Sequence, residues 1–150
     1  MGNRPGFTTI EMAIVTTLVG LLSAIAYPKL AAVRDQAALE GARRHVITQL
    51  SGARSSAIQR GQPVRLRAAG SAIWLSTDIG GVETPIAPTS ELTVSFDVTL
   101  AASHDPVTFD ARGYATSLPA TGAKFVLERG ALSDSVCITR LGTILPECGS

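Results

Sequence analysis

The sequence predicts an α+β fold in which one long N-terminal helix packs on a mostly antiparallel β-sheet domain, and three observations carry that expectation. Residues 7–28 form a nearly uncharged apolar run, residues 39–57 repeat apolar side chains at helical spacing, and beyond Pro63 the apolar period falls from 3.6 to 2. The chain has 150 residues, 45% hydrophobic and 17% charged, with 13 Lys and Arg against 12 Asp and Glu. This balance excludes a disordered tail and a general polycation. One core fits the length, yet the mean hydropathy is positive, so surplus apolar side chains must sit somewhere other than that core.

The surplus lies at the front. Residues 7–28 hold a single charge, Glu11, in 22 positions. As a helix the run measures about 33 Å, enough for a hydrocarbon layer of roughly 30 Å. A transmembrane anchor, a cleaved secretory signal and a buried core helix all compete for it. A domain this small has little room to surround an all-apolar cylinder, which disfavours the core helix. The secretory signal draws support from Arg4, the apolar residues 12–22 and the small-x-small pattern Ala24-Ile25-Ala26. Glu11 speaks against it, because a carboxylate inside an apolar span costs up to about 2.5–3.5 kcal/mol and calls for a partner.

Around Glu11 stands the run Gly6-Phe7-Thr8-Thr9-Ile10-Glu11, behind a short polar leader and ahead of the apolar helix. It resembles the type III signal of type IV pilins and type II secretion pseudopilins. The resemblance implies a leader over residues 1–6, cleavage between Gly6 and Phe7 by a prepilin peptidase, and N-methylation of Phe7. It further implies a transmembrane and assembly helix over 7–28, with Pro28 as its kink proline. The implied partners are other minor and major pilins or pseudopilins, an inner-membrane assembly platform and membrane lipid. A free amine on Phe7 would lie about one helical turn from Glu11, so in a bundle of staggered copies the carboxylate can neutralise a neighbour's amine. The alternative is an inert carboxylate tolerated near the membrane surface. Arg4 precedes the span while Lys29, Arg34, Arg43 and Arg44 follow it, so a bare count of cations favours the opposite topology. The leader overrules that count, and the expected location is a single pass in a bacterial inner membrane, with the C-terminal domain in the periplasm or on a surface filament.

Residues 29–61 read as the amphipathic continuation of the helix. Leu39, Ala42, Val46, Leu50, Ala53 and Ala57 recur at steps of three and four, and Arg60-Gly61-Gln62-Pro63 supplies a glycine stop with a following proline. The head, residues 62–150, opens with Val64, Leu66 and Ala68 alternating with Arg65 and Arg67. A second alternation runs through Leu92, Val94, Phe96 and Val98, and further strands are expected at 73–77, 107–110, 123–129 and 136–141. Residues 78–91 and 116–122 read as turns. The stretch Phe109-Asp110-Ala111-Arg112-Gly113, then Val136-Cys137-Ile138-Thr139-Arg140 and Gly142, resembles the GspH/FimT branch of minor pseudopilins and minor pilins. A Phe-x-x-x-Gly turn and a closing strand-Gly-strand recur in that branch, which implies a pilin-like architecture and a non-enzymatic structural role near a filament tip.

Cys137 and Cys148 form an even pair in a domain expected to be exported, where a disulfide is the usual outcome and would add about 3 kcal/mol. A metal site finds little support in His45 and His104 without a third cysteine, and no CxxC points to redox chemistry. Asp97, Asp105 and Asp110 with His104 lack a nucleophile elbow, a phosphate loop or ligand spacing, so no cofactor and no catalytic residue is expected. Residues 29–67 carry eight basic and two acidic side chains, a balance of +6, and residues 78–150 carry four basic and nine acidic, a balance of −5. Such a basic stem and acidic head could complement each other between subunits. Some members of the FimT side bind DNA through a C-terminal Gly-Arg-x-Arg. Here the matching place reads Gly142-Thr143-Ile144-Leu145, so DNA is not an expected partner.

Overall fold

The computed structural model describes residues 8–145 and Cys148. Gly6 and Phe7 lie outside the described residues. Two compact units emerge, the first reaching Asp35 and the second beginning at Gln36. Helix α1 (Thr9–Arg60) supplies the described backbone of the first unit and the spine of the second. In the second unit Leu39, Ala42, Val46, Leu50, Ala53 and Ala57 are all buried, the stripe expected from their spacing. The helix stops at Gly61, whose φ of +63° is accessible to glycine without steric cost.

Two antiparallel sheets cover that stripe. The first runs in the order β3 (Val82–Pro85), β2 (Ala72–Ile79), β1 (Val64–Ala69), β6 (Val107–Phe109), with β4 (Ser90–Glu91) also paired to β2. The second runs in the order β5 (Thr99–Ala102), β7 (Ala123–Arg129), β8 (Leu132–Ile138), β9 (Ile144–Leu145). Pairing of Val64 with Thr77 and Leu66 with Leu75 turns these four residues inward and leaves Arg65 and Arg67 on the outer face. Phe109 from the first sheet and Phe125, Leu127 and Val136 from the second join the helix stripe in one fully buried cluster. Burial of each large side chain contributes about 1.5–3 kcal/mol.

The alternation through Leu92, Val94, Phe96 and Val98 is not a strand. Residues Leu92–Phe96 form a short helix, α2. Its reading as a strand would place Val94 on the buried face, whereas the helix turns Leu92 and Phe96 inward at i, i+4 and leaves Val94 81% exposed. Asp97, at φ +54°, ends it in the left-handed conformation, and the Val98 amide reaches back to the Leu92 carbonyl. Strands β3 and β4 occupy a segment that reads as turns, and β5 and β9 are too short and mixed to show a period. The last long strand spans Leu132–Ile138 rather than 136–141, because from Thr139 the chain bends: Gly142 donates to the Thr139 carbonyl and Thr139 to that of Thr143.

Candidate functional site

The first unit presents apolar side chains all round its helix. Ile10, Leu18, Leu22 and Ile25 are each more than half exposed, a surface that water would not favour and that hydrocarbon or neighbouring helices would. By length and composition this part of α1 can cross a membrane. Two of its hydroxyls are satisfied inside the helix. Thr16 donates to the Met12 and Ala13 carbonyls at 3.0 Å and Thr17 to Ala13 at 2.8 Å, which removes the cost of carrying free donors into an apolar medium.

At the start of the helix Thr8 and Glu11 close a reciprocal cap. The Glu11 amide donates to Thr8 Oγ1 at 3.2 Å and the Thr8 amide to Glu11 Oε2 at 3.4 Å. Two amides that helix geometry leaves without carbonyls are satisfied in this way, and the carboxylate is held beside the positive end of the helix dipole. This cap was not expected from the sequence, although the T-x-x-E spacing of Thr8 and Glu11 could have signalled it. Pro28 falls within α1.

A second junction ties α1 to the head. Arg54 projects from the helix and its Nη1 donates to the Gly142 carbonyl at 2.9 Å, a contact between residues 88 apart. Gly113, at φ +83°, and Gly142, at φ +73°, flank the same side chain. A Cβ on Gly142 would fall 2.3 Å from the Gly113 carbonyl oxygen, and one on Gly113 would fall 2.9 Å from Arg54 Nε. Both glycines of the Phe-x-x-x-Gly and strand-Gly-strand patterns are therefore needed for close approach. Asp110 shapes the first of these turns by accepting from the Arg112 and Tyr114 amides at 2.9 and 2.8 Å. Nothing in the sequence marked Arg54 as their partner.

The remaining candidates have local structural tasks. The Asp105 carboxylate accepts from the Ala68 amide at 2.8 Å, and Asp97 lies 3.4 Å from Arg129. Together with Asp110 in its turn, these carboxylates serve three separate places. Among the described residues no three His, Cys, Asp or Glu gather as a metal site. Cys137 and Cys148 are joined by a disulfide. It secures the chain beyond β9, whose Leu145 pairs with Cys137.

Charge separation along the sequence is resolved in part inside the folded chain. Arg43 meets Asp134 at 3.3 Å, Arg65 meets Asp78 at 3.7 Å and Arg67 meets Glu83 at 2.8 Å. A hydrogen bond from Arg67, seconded by one from the Ser76 hydroxyl, holds the Glu83 carboxyl below its ordinary range. The same bond to Glu83 raises Arg67. The two side chains remain about a third exposed, so solvent screens the pair.

Residues 42–142, two thirds of the chain and the whole stretch that contains Arg54, Gly113 and Gly142, match the model of a family described as the type II transport protein GspH. The chain belongs to the GspH family. Two crystal structures of the type IV minor pilin FimU of Pseudomonas aeruginosa share this GspH-family fold, each with a TM-score of 0.59 at 20% identity. They cover 73% of this chain and 87% or 92% of the FimU chains. No curated protein matches it. The long helix on antiparallel sheets is thus a pilin-like α+β fold, and the family is one of structural subunits.

Proposed function

We propose that this chain is a minor pseudopilin or minor pilin, co-assembled at or near the tip of a type II secretion pseudopilus or a type IV pilus. The observation that supports this most is the division of α1, apolar and exposed over its first half and buried along one stripe over its second. A signal sequence destined for removal has no reason to continue without a break into the spine of the domain it delivers. Prepilin peptidase cuts between Gly6 and Phe7 and methylates Phe7. Residues 7–28 then hold the subunit in the inner membrane, and the head lies in the periplasm or on the filament surface. In the assembled filament Glu11 leaves its cap with Thr8 and takes the terminal amine of a neighbour, an exchange favoured because two charges neutralise each other in lipid.

Mass spectrometry of the membrane-bound protein tests this. The expected mass corresponds to loss of residues 1–6 plus one methyl group, and a mature chain beginning at Tyr27 would establish an ordinary secreted protein instead.

A further inference from the structure

The apolar surface of α1 does not end at Pro28. Leu30 and Val33, 53% and 64% exposed, carry it further along the helix. At about 100° per residue, Leu22, Ala26, Leu30 and Val33 fall in one exposed stripe about 80° wide. Lys29 and Arg34, both exposed, flank that stripe on opposite sides, whereas Ala31, Ala32 and Asp35 take the opposite face. Among the described residues no carboxylate forms an ion pair with Lys29 or Arg34. An anionic group that reaches the stripe therefore meets two cations and is kept away from Asp35.

Depth along the helix picks out what this segment meets. From Thr9 about 20 residues cross a hydrocarbon layer of roughly 30 Å, which brings the exposed Tyr27 to its edge, where tyrosine rings are favoured. The headgroup layer beyond that edge is about 5–8 Å thick. Lys29 and Arg34 follow about 3 and 10 Å further along the axis, and long basic side chains bend back toward phosphates at that depth. Orientation does not explain the two cations, because in the proposed topology they oppose the usual excess of basic residues on the cytoplasmic side. We infer that residues 26–34 bind an anionic phospholipid of the periplasmic leaflet. Leu30 and Val33 lie against the upper part of its acyl chains, and Lys29 and Arg34 hold its phosphate from two sides. The inference rests on the membrane-anchored subunit reading and adds the class of lipid that the anchor selects.

The test uses the full-length chain with Ala26→Cys in phosphatidylcholine vesicles. Cys137 and Cys148 are joined to each other, so a thiol-reactive fluorophore labels position 26 alone. Phosphatidylglycerol and phosphatidylcholine, each brominated on its acyl chains, are compared as quenchers of that probe. Phosphatidylglycerol should associate more strongly, and Lys29→Gln or Arg34→Gln should each lower the preference about fivefold. Arg60→Gln, which removes another exposed cation at the other end of α1, should leave it unchanged. An equal fall with Arg60→Gln, or equal quenching by the two lipids, overturns the inference and leaves the anchored-subunit reading standing, since the probe is then still in the bilayer. Quenching that is lost as the protein-to-lipid ratio rises gives the face to a second copy and overturns it as well. Absence of quenching by either lipid would bring down both readings.

Discussion

Helix α1 holds two regions with one secondary structure and opposite surroundings. In the first unit its side chains are exposed on every face; in the second, one stripe from Leu39 to Ala57 is buried and the other faces carry Arg44, Thr48 and Arg60. Hydrogen bonding along the backbone is the same in both, so the difference lies in what the side chains seek. The second half gains its stability from the head, whereas the first half has apolar surface that only another medium or another subunit can cover. A single helix therefore serves as core element in one half and presents uncovered apolar surface in the other without a change of backbone.

The largest expected effect breaks the comparison if it fails. Leu50→Ala removes a fully buried side chain and should lower the stability of the head by about 2–5 kcal/mol, read as a shift in the urea midpoint of Trp74 fluorescence in detergent. Leu22→Ala in the first half should leave that midpoint within about 0.5 kcal/mol. Equal losses at the two positions would show that the halves are not independent.

Glycine sharpens the same contrast. Gly20 has open space where a Cβ would stand, and Gly20→Ala should be neutral or stabilise the helix by up to about 1 kcal/mol. Gly142→Ala should cost about 1–3 kcal/mol, since it places a Cβ at positive φ against the Gly113 carbonyl and displaces Arg54. Thermal melts of the two variants provide the comparison, and an unaffected Gly142→Ala melt would remove the junction from the account of the family motif.

The smallest effect concerns pH and the pairing of Arg67 with Glu83. Glu83 has a lower pKa folded than unfolded, so its contribution is fully present above the ordinary carboxylate range and is lost as pH falls through the lowered folded value. Glu83→Gln should therefore lower stability slightly at neutral pH and leave the acid end unchanged, which flattens the acid limb of stability against pH. Urea midpoints across that limb measure it. An unchanged limb would mean that solvent screening has reduced the pair to nothing.

The sequence by itself determined the elements whose signal is periodic and local. The apolar run, the stripe of six residues in α1, the glycine stop at Gly61 and strands β1 and β7 all follow from which side chains recur at steps of three, four or two. The cap of Thr8 and Glu11 was not among the expectations, although its partners are only three residues apart. Tertiary structure decided what those elements meet. The same alternation that suits a strand at residues 92–98 became α2, because only a helical turn buries Leu92 and Phe96 while leaving Val94 outside. It also divided the strands between two sheets, paired the basic residues of the stem and β1 with acids far along the chain, and set Arg54 between two glycines. Contacts between residues this far apart leave no periodic trace, since their energy depends on segments that become neighbours only once the core has formed.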